Sequence, residues 1–413
     1  MPTKRYGYRA YPTAGQRESL ARVFGCARVV YNDFLAERKA LREENRHKDV
    51  SFGETAKNVV TRAKLTPERA WLSEVSNIAL QQSVRNAERA YKNWFHSLSG
   101  TGKRKVGHPR FKKRSARQAI TLTRGGFSVR ETSHGVGFVR LAKIGVVRFV
   151  LSRPLPSVPS SVTVIGKPDG TYEVSFVVET TDRILPVIER SSGIDLGLTD
   201  FATIVSSDGS REKVGNPRIL RKSERRLARA QKHLSRKVKG SKNREKARKR
   251  VARIHSRVSN SRTDFARKLA RRLVNENQVI VVESLSVSAL AKTRLAKSVH
   301  DAGWGTFLRV LKEMASESGR TVVAMPREFP SSQLCSACGV RDGKKPLSVR
   351  EWTCASCGAV LDRDYNAALN LLAGGHPESL NACGADVRPR PTGAVSDEAG
   401  IRRTVQEASL VAA

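Results

Sequence analysis

More than half of the chain's positive surplus lies in one stretch, residues 211–272, which carries 25 Lys and Arg against four acidic residues. Like charges at this density repel one another, which favours a surface position opposite a polyanion; a solvated pair of charged helices is the alternative. Its apolar residues still keep a helical period, and KGSKN at 239–243 indicates a turn in which Ser241 caps the next helix. We therefore expect a basic helical hairpin.

The chain as a whole is also strongly basic. Its 413 residues include 76 Lys and Arg against 38 Asp and Glu, a net charge of +38, and 39% hydrophobic residues are enough for ordinary cores. Duplex nucleic acid carries about one negative charge per 1.7 Å of axis, so it is the expected partner. A membrane surface is the alternative, but the sequence has neither an apolar run near the ~20 residues of a spanning helix nor a signal-like start. We expect a cytoplasmic protein with no membrane partner.

Outside the basic stretch, the pattern of apolar and turn-forming residues changes several times along the sequence. Residues 1–12 indicate a short strand, and helical periods follow up to a Gly-rich basic loop at 100–115. Residues 119–179 divide into six short β-prone runs, which is typical of a small barrel or sandwich. The opening strand would join that domain, with the helices inserted, although the sequence does not establish the pairing. Beyond residue 191, strands alternate with helices, which predicts an α/β sheet.

Four of the six cysteines lie within 23 positions, as two C-x2-C pairs separated by 15 residues. This spacing is typical of a zinc ribbon, in which four thiolates surround Zn²⁺ and leave no open position. A glycine follows the second cysteine of each pair, where a tight turn would aim backbone N–H groups at sulfur. Disulfides or unrelated thiols are the alternatives. The predicted ligands of a structural zinc are Cys335, Cys338, Cys354 and Cys357.

Three acidic residues lie at the ends of predicted elements. Asp195 ends a strand in a G-I-D-L-G context, Glu283 ends the strand VIVVE, and Asp364 begins the helix DYNAALNLL. In an RNase H-like sheet the first strand and a later parallel strand are neighbours, so their acids would meet beside the helix. Three carboxylates can hold two Mg²⁺ ions ~4 Å apart for phosphodiester hydrolysis. Each acid alone could instead serve as a turn residue or favour a helix start.

These segments together resemble one family. GIDLGLTDFAT, SKNREKARKR, RTDFARKLA, VVESL, CSACG, WTCASCG and LDRDYNAALNLL occur in that order, preceded by LQQSVRNAERAYKNWF and GHPRFKKR. This set is similar to that of the TnpB family, the transposon-encoded RNA-guided DNA endonucleases related to type V CRISPR effectors. The resemblance spans roughly residues 4–373.

The resemblance implies a multi-domain α/β plus β fold. A small WED β-barrel with an inserted helical REC region would precede an RNase H-like RuvC domain that carries a zinc ribbon. The implied segments are 1–14 and 117–186 for the WED barrel, 15–116 for REC, 187–330 for RuvC with the hairpin at 215–274, 331–360 for the zinc ribbon, 361–375 for the last RuvC helix and 376–413 for a disordered tail.

The resemblance also implies a function and a set of contacts. Asp195, Glu283 and Asp364 would be catalytic acids binding Mg²⁺, with Asp362 as the alternative to Asp364. A guide RNA from the element's end would pair with target DNA beside a short flanking motif, one protein binding each RNA. Candidate motif contacts are Asn77, Gln81, Gln82 and Thr121. Candidate backbone contacts are Arg110, Lys112, Lys113, Lys242, Arg244 and Lys249.

Two other functions remain open at this stage. A guided DNA-binding protein without nuclease activity would be expected to lack one of the acids, and none is missing. A general RNA-binding zinc-ribbon protein would explain the charge and the cysteines, but not the acids. A strand-joining transposase would need a nucleophile motif, and none stands out.

Overall fold

The structure is a computed structural model that describes residues 2–46, 49–100, 105–115, 117–132, 135–346 and 348–375. The predicted tail at 376–413, with Cys383, lies outside the described residues. The chain divides into two compact units, Met1–Thr181 with His233–Arg253 and Asp182–Lys232 with Ile254 onward. No helix in the described part of the chain is long and apolar enough to cross a bilayer.

The first unit contains a curled seven-stranded antiparallel sheet. Its strands are β1 (Thr3–Tyr11), β2 (Gln118–Thr123), β3 (Phe127–Glu131), β4 (Val136–Leu141), β5 (Gly145–Val150), β6 (Ser161–Gly166) and β7 (Tyr172–Glu179). The strand order is β2-β6-β7-β1-β5-β4-β3. The six β-prone runs are all strands, and β1 lies in the centre of the sheet between β7 and β5. The pairing that the sequence left open is therefore present.

The helices of the first unit follow β1 and precede β2 in the sequence. They are α1 (Ala14–Glu43), α2 (Phe52–Ala56) and α3 (Asn77–Leu98), with a π-helix at Lys57–Arg62 and 3₁₀ turns at Ala63–Leu65 and Ala70–Glu74. A capping box begins α1, because Thr13 and Gln16 each accept a hydrogen bond from the other's backbone N–H. The apolar stripe of α1, including Cys26, is buried in one core with α3 and the sheet. This agrees with the helical period of the sequence.

Two long helices then form the basic stretch, α4 (Ile219–Ser235) and α5 (Lys242–Glu276). Ser241 accepts a hydrogen bond from the backbone N–H of Arg244 at 3.1 Å, as predicted for a cap. The guanidinium of Arg244 donates to the carbonyls of Leu234 and Lys237, which closes the turn between the helices. The turn is therefore held by a side chain that the sequence suggested for phosphate contact.

The second unit contains a five-stranded mixed sheet, β8 (Ser191–Asp195), β9 (Asp200–Ser206), β10 (Arg211–Gly215), β11 (Val279–Glu283) and β12 (Thr321–Met325), and a small hairpin, β13 (Glu351–Thr353) and β14 (Val360–Asp362). Its further helices are α6 (Val287–Leu290), α7 (Ala296–Ala302), α8 (Trp304–Glu317) and α9 (Arg363–Gly374). The strand order is β10-β9-β8-β11-β12, with β8, β11 and β12 parallel. Residues of α5 and α8 share a core with the sheet, and Leu371 of α9 packs with Val281 and Met325 in another.

Helix α9 approaches β8 more closely than a side chain would allow. A Cβ atom on Gly193 would lie 2.2 Å from the carbonyl oxygen of Ala368 and 2.6 Å from the backbone nitrogen of Leu372. Both are backbone atoms, so neither can move without the helix. Only glycine at 193 allows α9 to lie at this distance.

We expect Gly193→Ala to lower the free energy of unfolding by about 3 kcal/mol or more, because the added methyl group must displace α9. Gly215→Ala is the matched control, since its Cβ would meet no atom within 4 Å. Urea unfolding of both variants measures the difference. Equal stability of the two would contradict the close packing.

Candidate active site and metal centre

Asp195 and Glu283 are the last residues of two neighbouring parallel strands. Ile194 of β8 pairs with Val282 of β11, so the next residues, Asp195 and Glu283, lie side by side at the same edge of the sheet. The alternation of side chains along both strands then sends the two carboxylates in the same general direction. This is the adjacency predicted from the strand pattern.

Asp364 lies in the first turn of α9, the helix that packs on β8. Burial first, and then the charges of Glu283 and Asp364, raise the pKa of Asp195 to about 7, and Arg363 opposes them. Burial also raises the pKa of Glu283. The three acids therefore share one electrostatic environment, in which negative charge is unfavourable without a cation.

The carboxylate of Asp362 makes different contacts from that of Asp364. One of its oxygens accepts hydrogen bonds from the backbone N–H groups of Asp364 and Tyr365, both at 3.0 Å, and so caps α9. The other oxygen accepts from Lys213 Nζ at 2.7 Å. Burial opposes ionisation of Asp362, but these donors lower its pKa. The geometry therefore favours Asp364 over Asp362 as the third acid of the site.

Arg350 is a neighbour of the acids that the sequence reasoning missed. Its Nη1 lies 3.6 Å from Asp364 Oδ2, and its Nη2 donates to Thr199 Oγ1 at 3.0 Å. It precedes β13, so the cysteine-rich segment supplies a cation to the carboxylate site. No spacing rule in the sequence marks an arginine for this place.

The donor set of the three acids fits Mg²⁺, which prefers carboxylate oxygens. Their oxygens are not all within 4.8 Å of one another; among the described residues that closeness is reached by the cysteines. A pocket of about 400 Å³ beside Glu283 is lined by Lys312 and Arg327 as well as Glu328. Cationic side chains thus lie next to Glu283, in a pocket that a phosphate can enter.

The four predicted cysteine ligands converge. The sulfurs of Cys335 and Cys357 are 3.7 Å apart and those of Cys338 and Cys354 are 3.8 Å apart. A tetrahedron with ~2.3 Å zinc–sulfur bonds has edges of about 3.8 Å, so the arrangement fits Zn²⁺.

Each cysteine pair lies in the same kind of turn. Gly339 and Gly358 have φ of +72° and +70°, and their N–H groups donate to the carbonyls of Cys335 and Cys354. In the second turn, the N–H of Cys357 first, then the N–H of Ser356 and the thiols of Cys335 and Cys357, lower the pKa of the Cys354 thiol to about 7 against the effect of burial. Burial raises the pKa of Cys335 in the first turn, so it is the second turn that favours the thiolate form that a metal needs.

Two buried asparagines of α9 hold the first cysteine turn. Asn366 accepts from the N–H of Ser336 at 2.8 Å and donates to the carbonyl of Leu334 at 2.7 Å. Asn370 donates to the carbonyls of Ser331 and Leu334. The helix that carries Asp364 is thereby attached to the cysteine cluster, a role the sequence did not reveal.

The predicted nucleic-acid contacts differ in their surroundings. Asn77 accepts from Lys64 Nζ, and Thr121 hydrogen-bonds Thr163 across β2 and β6. Gln81 is exposed and Gln82 half-buried on α3, the helix that packs on β2. These four residues stay predictions, since nothing in the structure tests base contact.

Among the predicted backbone contacts, two lysines already have partners within the chain. The ammonium of Lys112 lies 3.6 Å from the centre of the Tyr31 ring, and that of Lys249 is 3.2 Å from Glu245. Lys112 therefore supports the helical packing, as Arg244 supports the hairpin turn. The side chains of Arg110, Lys113 and Lys242 are exposed.

Solved structures identify the fold class. The chain aligns with the "Cryo-EM structure of the Cas12f1-sgRNA-target DNA complex" at a TM-score of 0.56 and 12% identity, over 91% of this chain and 99% of that one. It also aligns with the "Structure of the mini-RNA-guided endonuclease CRISPR-Cas_phi3" at 0.53 and 10% identity, over 89% and 92%. The fold is therefore Cas12f-like, with a curled antiparallel sheet and a mixed sheet.

Sequence relatives identify the family. A Streptomyces pristinaespiralis protein is 41% identical over 98% of this chain and 96% of its own, and an Escherichia coli K12 protein, InsQ, is 32% identical over 91% and 92%. Both carry the name "Putative RNA-guided DNA endonuclease". The chain belongs to the TnpB family, as its motifs predicted.

Three family models match parts of the chain. The OrfB_IS605 model, described as "Probable transposase", matches 175–294, and a "Cas12f1-like, TNB domain" model matches 304–371. A model described as "Helix-turn-helix domain" matches 1–47. The described residues of that last range form β1 and one continuous helix, α1.

The raised pKa of Asp195 predicts a pH-dependent stability in Mg²⁺-free, zinc-loaded protein. Because the folded state holds this proton more tightly than the unfolded state, the carboxyl group's contribution to stability falls as pH rises from about 4 to 7. We expect Asp195→Asn to gain about 2 kcal/mol relative to wild type between pH 5 and pH 8. Urea unfolding at both pH values measures it, with the exposed Asp264→Asn as control. A pH-independent difference would contradict the shared environment of the acids.

The asparagine contacts predict a metal-retention defect. Asn366→Ala should lower stability by about 1–3 kcal/mol, because the part-buried N–H of Ser336 loses its acceptor. It should also speed transfer of zinc from the loaded protein to a colorimetric chelator. Asn366→Asp keeps the acceptor but places a buried carboxylate against the carbonyl of Leu334, so it should release zinc at least as fast as Asn366→Ala. Identical rates of zinc release from wild type and the two Asn366 variants would exclude a role of Asn366 in holding the cysteine turn.

Proposed function

We propose that the chain is an RNA-guided DNA endonuclease that hydrolyses phosphodiester bonds at the site of Asp195, Glu283 and Asp364. The observation that carries the proposal is the placement of these three acids at one edge of the mixed sheet, in a family whose relatives bear that name. A general RNA-binding protein would gain nothing from holding the partly buried Asp195 beside two further carboxylates that repel it.

Asp195, Glu283 and Asp364 would hold Mg²⁺, as a pair of ions. When bound, the ions supply an activated water and charge stabilisation at the leaving 3′ oxygen. Burial of Asp195 lowers the local dielectric, so its carboxylate interacts strongly with a cation and poorly with bulk water. Arg350, at 3.6 Å from Asp364, partly neutralises the acids in the metal-free protein.

Lys312 and Arg327 give the site a means of holding the DNA strand. Both line the pocket that contains Glu283, and no residue of the same pocket other than Glu328 adds a further negative charge. A DNA phosphate bound between these cations would bring the sugar-phosphate backbone of its strand up to the acids. Positioning of this kind supplies a large share of the rate in phosphoryl transfer.

We assign the finer architecture by resemblance. The sheet of the first unit, 1–14 with 117–186, would be the WED barrel and 15–116 the REC region. Residues 187–330 and 361–375 would form RuvC and 331–360 the zinc ribbon. The Cas12f1 structure is a complex with a guide RNA and target DNA, and the same two classes of nucleic acid would be this chain's partners.

A matched pair of variants tests the chemistry. We expect Asp364→Asn to lower the cleavage rate at least about a hundredfold, since it removes a metal-binding oxygen. Asp362→Asn keeps an acceptor that caps α9 and should cut within a few-fold of wild type. Protein, its copurified RNA, matching target DNA and Mg²⁺ are incubated, and products are resolved on gels.

The outcomes separate the alternatives. Full activity of Asp364→Asn would remove that acid from the site. Sequence-specific DNA binding without any cutting by the wild-type complex would favour a guided binding protein. Equal binding of random and copurified RNA at matched salt would favour a general RNA-binding protein.

A further inference from the structure

The second unit has a pocket of about 420 Å³ at the end of the mixed sheet opposite the acids. Three segments line it, and each directly precedes one of the parallel strands: 183–188 before β8, 271–275 before β11 and 318–320 before β12. Asp195 and Glu283 end β8 and β11. Five-residue strands span about 16 Å, so the pocket is separate from the acids.

Each segment contributes one arginine to the pocket, namely Arg183, Arg271 and Arg320. The polar side chains of Asn275 and Ser318 also line it, and no carboxylate does. Among the described residues, no ion pair involves any of the three arginines. Within the part of the chain that the structure describes, the lining therefore carries three positive charges with no carboxylate in ion-pair contact.

Arg320 gives the pocket a buried cation. Its side chain is only 6% exposed. Its Nε donates to the carbonyl of Val274 at 3.1 Å and its Nη1 to Gln278 Oε1 at 2.6 Å, and both acceptors are neutral. Burying a guanidinium beside neutral groups alone is costly, so an anion bound there would offset that cost.

The three segments are also held to one another. The N–H of Leu185 donates to the carbonyl of Ser318 at 3.1 Å, and Gln278 Nε2 donates to the carbonyl of Gly319 at 3.2 Å. Gln278 Oε1 accepts in addition from the N–H of Ile188. The arginines therefore start from a connected framework, which lowers the entropy cost of binding.

The geometry points to this pocket as a binding site for a backbone phosphate of the guide RNA. Arginine forks match phosphate oxygens, and the pocket's size suits a phosphodiester with its sugars. A strand held here lies too far from the acids to be cut, as a guide must be if it is to survive, whereas the target DNA must reach them. The choice of RNA thus rests on the proposed function.

The test uses the full-length protein and its copurified RNA. Arg183→Gln and Arg271→Gln are combined, because both side chains are exposed and tolerate substitution, whereas Arg320 is buried. We expect the dissociation constant to rise about tenfold and the slope of log affinity against log salt to flatten by about 0.7, the value for one phosphate contact. Arg309→Gln, which removes an exposed arginine of α8, is the control and should change neither.

Phosphate-ethylation interference locates the contact without requiring cleavage. In wild type, modification of one or two guide phosphates should weaken binding, and this effect should vanish in the double variant. Identical interference patterns, or an affinity and salt slope equal to those of Arg309→Gln, would overturn the proposal. So would weaker binding of DNA by the RNA-loaded double variant with unchanged RNA affinity. If the wild-type complex fails to cut DNA, the RNA measurements still show whether the pocket binds an RNA phosphate.

Discussion

The contact between α9 and β8 determines the geometry of the candidate active site. Asp195 is fixed at the end of β8 by the ladders to β9 and β11, but Asp364 depends on how closely α9 approaches. Gly193 allows the backbone of α9 to lie directly on the strand. The electrostatic effect of Asp364 on Asp195 follows from that proximity. The absence of a side chain at Gly193 thus allows Asp195 and Asp364, 169 positions apart in the sequence, to share one electrostatic environment.

The cysteine cluster extends this arrangement. Asn366 and Asn370 lie on the same helix as Asp364 and hold the first cysteine turn by four hydrogen bonds. Arg350, from the segment between the cysteine pairs, reaches Asp364 itself. Loss of zinc would therefore loosen both a support of α9 and a counter-charge of its acid. A zinc ion held by the four cysteines and the catalytic role proposed for the acids would thus be linked through one helix.

The sequence predicted what depends on local pattern. The six β-runs, the helical hairpin with its Ser241 cap, the four cysteines and the adjacency of Asp195 and Glu283 all follow from periodicity, spacing or strand order. It did not reveal Gly193, Arg350 or the asparagines, because their roles depend on which distant backbone lies opposite. It also suggested Lys112 and Arg244 for phosphate contact, although Tyr31 and two carbonyls already engage them.

The separation of exposed positive charges from partly buried carboxylates explains how a chain of net charge +38 can keep a site for a cation. Exposed charges are screened beyond about 8–10 Å at physiological salt, so only near neighbours act strongly on the partly buried acids. There the neighbouring carboxylates dominate, and a metal must compete with Arg363, which acts on Asp195, and with Arg350, which lies beside Asp364. A DNA phosphate held by Lys312 and Arg327 would add negative charge beside Glu283 and so strengthen metal binding. By linkage, bound metal then strengthens binding of the strand by the same factor.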